Sequence, residues 1–378
     1  MTTATIVVVI VVITALIFDY TNGFHDAANA MATSVATEAL KPKTAVTLAA
    51  ILNVVGAFLS TEVAKTISSG MVNDDLITPG IVFAGLCAAI IWNLATWLYG
   101  LPSSSSHALF GGLIGAVLVS AGLQGIHLPV VLSKIILPAL FAPVIAGVVS
   151  MLATRLAYWL TAKSDGTHSP LATRLFKYGQ QVSASMVALS HGTSDGQKTM
   201  GVITLVLVAG GFQESGTGPQ FWVILTAGLA IGLGTYSGGW RIMRTMGKGL
   251  VDIQAPQGFA AETSATAAIL ASSHLGFGLS TTHVASGAIL GSGIGRRTEV
   301  RWSTATRMLI AWGLTLPAAG LVGAAFALLT GLGFGGVLIA AVLLAAAAGG
   351  FIALSHRNKI TAANVNTSRE VTVSGAAR

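Results

Sequence analysis

Asp19, Asn22, His25, Asp26 and Asn29 crowd eleven residues at the end of a run, Met1 to Phe18, that carries no charged side chain. Taking a carboxylate out of water is costly, so an ionisable group at membrane depth implies a function. A related string recurs as His191-Gly192-Thr193-Ser194-Asp195-Gly196-Gln197-Lys198, again at the start of an apolar run. Gly23-x-x-Asp26-x-x-Asn29-x-Met31 matches Gly192-x-x-Asp195-x-x-Lys198-x-Met200. Asp26, Asn29 and Asp195, with the backbone carbonyls at Gly23 and Gly192, form an oxygen-rich set suited to a hard cation or a held proton. Asp19, seven residues before Asp26, joins them if one helix persists through Gly23. Glu262 is a further acidic candidate without a counterpart in the first half. Lys198 replaces Asn29 in the second copy, either as a counter-ion to Asp195 or as a direct participant in anion binding or proton coupling. No metal-ligand set is assigned among these residues.

A second duplicated pair carries hydroxyls. Ser104-Ser105-Ser106-His107-x-x-x-Gly111 matches Ser280-Thr281-Thr282-His283-x-x-x-Gly287, and each precedes an apolar helical pattern. Hydroxyls at a helix start act as caps, and the N–H groups and dipole there favour anions. Two such ends meeting from opposite halves would make a tetrahedral-anion site, with Ser104, Ser105, Ser106, Ser280, Thr281 and Thr282 as its donors. The alternative is ordinary capping or back-bonding within each helix. His25, His107, His191 and His283 titrate near neutrality and are candidates for a proton relay.

Composition decides what must position these residues. Of 378 residues, 53% are hydrophobic and only 9% charged, far below the quarter expected of a soluble domain. The partner around most of the chain is therefore a lipid bilayer. The net charge of +7 forms no basic stripe, which excludes a nucleic-acid groove. A single cysteine, Cys87, excludes an internal disulfide and a Cys-based metal framework. The start of the chain lacks the basic region of a signal peptide, and the first apolar run is expected to be a retained helix.

At about 20 residues per span, the chain divides into spans at 4–30, 44–61 and 130–153, with a broken helical pair at 78–99 and 104–121. The second half repeats this as 182–209, 220–237, a pair at 258–274 and 280–295, and 306–330; a further span, 335–354, stands alone. Tyr158-Trp159 and Phe221-Trp222 read as interfacial anchors. With the first span running inward, 17 of the 20 Lys and Arg fall in cytoplasmic loops. The expected fold is an all-α polytopic membrane protein of about 9–12 membrane segments. It is an inverted-topology repeat with two broken or re-entrant hairpins, the architecture of secondary transporters. Its parts are a first repeat (1–153), a cytoplasmic linker (154–181), a second repeat (182–330), an extra transmembrane helix (331–355) and a cytoplasmic, unstructured tail (356–378). The N-terminus lies outside and the C-terminus in the cytoplasm.

Thr21-Asn22-Gly23-Phe24-His25-Asp26-Ala27-Ala28-Asn29-Ala30, Gly100-Leu101-Pro102-Ser103-Ser104-Ser105-Ser106-His107, Ser190-His191-Gly192-Thr193-Ser194-Asp195-Gly196-Gln197-Lys198 and Leu279-Ser280-Thr281-Thr282-His283-Val284 together resemble the signatures of the inorganic phosphate transporter (PiT) family. The likeness runs in order from about residue 10 to 330, and is nearest to the short, low-affinity bacterial branch. It implies a central phosphate site, cation-driven symport and, in the bacterial branch, coupling to protons with phosphate carried also as a neutral divalent-metal complex, magnesium being such a metal. Thr193-Ser194 stands where the family usually has Ala-Asn, and Lys198 where its sodium-coupled branch usually has Asn, which favours protons. The expected function is import of inorganic phosphate across the cytoplasmic membrane by proton symport with alternating access, without a resident cofactor; a homodimer is one assembly open to it. A sulfate:proton symporter on the same scaffold is the alternative, and an intramembrane hydrolase using Ser106 or Thr282 with its neighbouring histidine, or a passive anion channel, are rivals from other classes.

Overall fold

A computed structural model of the chain describes residues 2–161, 170–368 and 370–371. α1 (Thr3–Ala36) begins where the Thr2 hydroxyl accepts the Thr5 N–H, and it runs for 34 residues without a break at Gly23. Asp19 and Asp26, two turns apart, therefore share a face. Gly23 serves close packing instead. A Cβ there would lie 2.3 Å from the Ile231 carbonyl oxygen of a neighbouring helix.

α2 (Pro42–Ala57) bends by 69° into α3 (Glu62–Ser69). α4 (Pro79–Tyr99) starts on the Thr78 side chain with Pro79 in its first turn, and stops at Gly100, which takes the left-handed conformation (φ 63°). α5 (Ser105–Ala121) is capped by Ser104. α6 (Leu128–Val131) passes through a wider-wound stretch, Leu132–Ile136, into α7 (Leu137–Thr161).

α8 (Pro170–Ala209) carries the second acidic motif at mid-length. α9 (Phe221–Ser237) turns by 59° into α10 (Trp240–Arg244), which widens over Thr245–Gly249. α11 (Ala255–His274) opens with Pro256 in its first turn and the Gln257 side chain accepting the Gln254 N–H. α12 (Thr281–Arg296), capped by Ser280, completes the second hairpin. α13 (Trp302–Thr330) and α14 (Phe334–Ser355) follow.

Among the described residues five helices are long and apolar enough to cross a membrane, or seven if each bent pair is one span. With α5, α8, α11 and α12 the segments reach eleven. The described residues form no strand, only the isolated bridges Val72–Ile126 and Val251–Val300. α7 leaves Leu140, Phe141, Val144, Ile145 and Val148 exposed, as a lipid-facing helix does. Trp159 and Phe221 are likewise exposed near helix ends, and Cys87 is a free, buried thiol.

Packing interleaves the chain. α5 lies against α13 and α4, while α12 lies against α7 and α11. Each hairpin is thus braced by a long helix from the other half of the sequence. α1 packs on α8 and α9, and α8 packs on α2. At the α8–α2 crossing, a Cβ on Gly192 would sit 2.2 Å from the Asn53 carbonyl oxygen. Gly192→Ala is therefore expected to lower stability by about 1–3 kcal/mol, the usual cost of overpacking, read as a fall in melting temperature in detergent.

Two expectations change. The polar stretch 154–181 is not a plain linker: α7 continues to Thr161 and α8 starts at Pro170, so Arg155, Arg174 and Lys177 ride on helix ends. Residues 162–169 lie outside the described residues. The tail was expected to be unstructured, yet its described part folds back on the bundle. Arg241 donates to the Ser355 and Asn358 carbonyls, Arg244 donates to those of Asn364, Val365 and Glu370, and Val365 is buried. The physical reason is that two buried arginines need acceptors for their guanidiniums, which the tail backbone supplies. Residues 369 and 372–378 lie outside the described residues.

Candidate functional site

Both acidic motifs lie within continuous helices, and both hydroxyl clusters start helices that point at them. Ser104 and Ser280 act as caps: they accept the N–H groups of His107 (3.0 Å) and His283 (3.2 Å). That leaves the next two hydroxyls of each cluster free to face inward. Ser105 and Thr282 both donate to Asp26 Oδ1, each at 3.3 Å. Thr281 donates to Asp195 Oδ2 at 3.3 Å. Asn29 donates through Nδ2 to Thr281 (3.2 Å) and Thr282 (3.0 Å), and its Oδ1 is buried without a partner. The acceptor motif and the hydroxyl clusters therefore form one site.

Lys198 is fully buried and bonds Asp195 Oδ1 at 2.6 Å, the Ser106 hydroxyl and the Leu279 carbonyl oxygen at 3.1 Å. It ties α8 to both hairpins at once. Asp26 is held from α1 by His25, whose Nδ1 lies 2.6 Å from Oδ1 while its Nε2 meets the Thr96 hydroxyl at 3.1 Å. Asp19 is buried two turns before Asp26 on the same face of α1, with neither carboxylate oxygen hydrogen-bonded, within reach of the charges of Asp195 and Lys198. The Gly23 carbonyl, expected among the cation ligands, instead accepts the Thr235 hydroxyl at 3.3 Å. Helical geometry commits such carbonyls inside α1 and α8.

His191 sits between the two aspartates. Its Nδ1 faces Asn53 Oδ1 at 3.1 Å, and Asn53 uses its Nδ2 to donate to Thr235 at 2.7 Å. With Asn53 Oδ1 as its acceptor, Nδ1 carries a proton, and Nε2 is turned toward the two carboxylates. Nε2 has no hydrogen-bond partner and lies 3.9 Å from Asp26 Oδ2 and 3.6 Å from Asp195 Oδ2. Asp26, His191 and Asp195 thus offer three acceptor atoms within 4.8 Å of one another. Like-signed lone pairs in a buried space repel unless a proton or metal ion lies between them, so this donor set fits a cation. The set comprises two carboxylates and one imidazole, all buried.

The four histidines divide into two groups. His25 and His191 belong to the carboxylates. His107 and His283 face each other across the hairpins with ring centroids 4.8 Å apart, and His283 stacks on Trp312 at 4.1 Å. Ser106 turns its hydroxyl to Leu279 O, and His107 Nε2 has no hydrogen-bond partner, so these two residues do not form the pair a hydrolase would need. Sequence reasoning missed Asn53 and Thr235 and gave Asn22 no role of its own. Asn53 alone carried a signal, an amide within an otherwise apolar span. Asn22 Nδ2 reaches Asp195 Oδ2 at 3.5 Å. Gln197 Oε1 accepts the Val63 N–H at 2.8 Å, so α8 caps the start of α3.

An all-helical polytopic chain with two broken hairpins converging on buried carboxylates, hydroxyls and one ammonium defines a membrane protein built to bind ions. The model of the phosphate transporter family matches residues 22–323, and the chain belongs to that family. A relative from Mycobacterium bovis, described as a probable low-affinity inorganic phosphate transporter, is 51% identical over 365 residues, covering 96% of this chain and 87% of the relative. One of the same description from Bacillus subtilis is 41% identical over 322 residues, covering 84% of this chain and 96% of its own length. Among solved structures, one titled the sodium-dependent phosphate transporter superposes with a TM-score of 0.76 at 24% identity, over 86% of this chain and 99% of that one, and shares its fold.

Proposed function

We propose that this chain imports inorganic phosphate across the cytoplasmic membrane by symport with protons, alternating the access of one central site. Membership of the phosphate transporter family supports the substrate. The observation that carries the coupling is the triad of acceptor atoms on Asp26, His191 and Asp195. Lys198 pairs with Asp195, while Asp26 faces His25 and His191, so with those histidines neutral the site is net negative before an anion arrives. A divalent phosphate entering it alone would meet repulsion in a low-dielectric space. A proton or divalent metal between the carboxylates and His191 removes that repulsion, and the hydroxyls of Ser105, Ser106, Thr281 and Thr282 then donate to the phosphate oxygens.

In this reading Lys198 neutralises Asp195 permanently, which leaves Asp26 and His191 as the exchangeable pair. The fixed charge of Lys198 disfavours a second sodium ion. Magnesium travels as part of a neutral metal–phosphate substrate. The matched motifs, Asp26 with Asp195 and Ser104–Ser106 with Ser280–Thr282, support an internal repeat, and the gathering of Lys and Arg in alternate loops supports its inversion, with the N-terminus outside and the C-terminus in the cytoplasm.

The test is uptake of labelled phosphate into proteoliposomes under an imposed proton or sodium gradient, with and without magnesium, and with sulfate as competitor. Accumulation driven by the proton gradient is expected. Accumulation driven by sodium alone contradicts the coupling, and sulfate displacing phosphate contradicts the substrate.

A further inference from the structure

Glu262 lies outside the acidic motifs, and its carboxylate is one of the most enclosed in the molecule. It projects from α11 to the place where α1 and α8 meet that hairpin. Thr33 of α1 and Ser183 of α8 donate their hydroxyls to its two oxygens, and Gln180 of α8 donates Nε2 at 3.2 Å. Gln180 Oε1 in turn accepts the Thr37 hydroxyl at 2.7 Å. One side chain thus joins three elements, and every donor it meets here is neutral.

What lies on either side gives the cluster its meaning. On one side is a cavity of about 10 Å³, lined by Asn29, Thr33, Glu262, Ala265 and Ala285. That is about the room one water needs, and Asn29 at its far end bonds Thr281 and Thr282 of the central site. On the other side is a cavity of about 420 Å³ lined by Thr37, Glu38, Tyr158, Lys177 and Gln254. Thr37 belongs both to this wall and to the hydrogen-bond chain ending at Glu262. The polar path from the site thus runs from Asn29 to Thr33 and Glu262, then to Gln180 and Thr37, and so into the large cavity.

We propose that Glu262 is the bolt of the passage between the central site and the cavity at Thr37, closed when it binds Thr33, Ser183 and Gln180 together. The proposal rests on the transport reading for its purpose. Opening requires α11 to part from α1 and α8, which these bonds resist. A carboxylate suits the role because its two oxygens accept from two helices at once, whereas an amide offers one acceptor oxygen. On the site side Asn29 and Thr33 supply the polar groups among Ala261, Ala265, Ala285 and Ile289, and on the far side Thr37, Glu38 and Lys177 supply them. Packing reinforces the closed position: a Cβ on Gly258, one turn before Glu262, would collide with the Gln180 side-chain amide.

The test reads access directly. In a Cys87→Ser background, Ala265→Cys places a thiol in the small cavity, and its alkylation by a membrane-impermeant reagent is timed from each side of reconstituted vesicles. With Glu262→Gln the reaction is expected to quicken about tenfold from the side of the Thr37 cavity only, since each lost charged hydrogen bond weakens closure by a factor of that order. The pair Thr33→Val with Ser183→Ala, which leaves Glu262 in place, is expected to do the same and guards against a single variant that fails to fold. Unchanged rates in both, or equal quickening from both sides, overturn the proposal. The alkylation needs no substrate, so it stands apart from the phosphate assignment. If phosphate is carried, the same variants are expected to exchange it faster across the membrane while accumulating less.

Discussion

Replacing Lys198 with methionine is expected to abolish phosphate uptake and to destabilise the fold by about 3–5 kcal/mol, the cost of leaving one member of a buried ion pair unpartnered. The ammonium bonds Asp195 at 2.6 Å, and both groups are fully enclosed. It also holds Ser106 of the first hairpin and the Leu279 carbonyl just before the second. Methionine fills a similar volume but supplies no donor, so three acceptors lose the charged donor they share. The companion variant Asp195→Asn/Lys198→Met removes the stranded charge as well. It is expected to recover most of the melting temperature in detergent without recovering uptake. A single variant that melts like the parent would mean that Lys198 is not the structural tie proposed for it.

Asp26→Asn is expected to lower proton-driven accumulation on the order of 100-fold, equivalent to about 2.7 kcal/mol, while leaving the melting temperature nearly unchanged. Asparagine is isosteric and still accepts from Ser105 and Thr282, as Asp26 Oδ1 does. What it removes is one of the two negative charges. With Asp195 paired to Lys198, the remaining site is close to neutral, and the anion no longer needs a cation to enter. Phosphate binding is therefore expected to persist, within about tenfold of the parent, while coupling to the gradient is lost. Binding by calorimetry alongside uptake separates the two, and undiminished accumulation would remove Asp26 from the coupling role.

Membrane class, both duplicated motifs and the helical pairs were legible because each is local. Apolar runs near bilayer length, a Gly-x-x-Asp spacing and a hydroxyl triplet before a helix need no knowledge of distant contacts. The same locality misjudged particular residues. Six hydroxyls were read as equivalent anion donors, but Ser104 and Ser280 differ from the other four in that their oxygens accept helix-start N–H groups. Four histidines were read as one relay, but His107 and His283 pair with each other beside Trp312. The tail was read from its polarity, while Arg241 and Arg244, more than a hundred residues earlier, decide its course.

The sequence by itself determined which residues would be costly to bury: Asp26, Asp195 and Lys198 stand in apolar runs, so they had to find one another or a ligand. Only the tertiary structure decided how they do so. It placed α13 behind the first hairpin and α7 behind the second, so that both hydroxyl clusters reach Asp26. It also brought Asn53 from α2 to orient His191, and Thr33 and Ser183 to hold Glu262. Those partners lie from 79 to 229 residues apart in the chain. Charge burial is written in composition, whereas hydrogen-bond partnership between helices depends on which faces pack, and no local spacing encodes that.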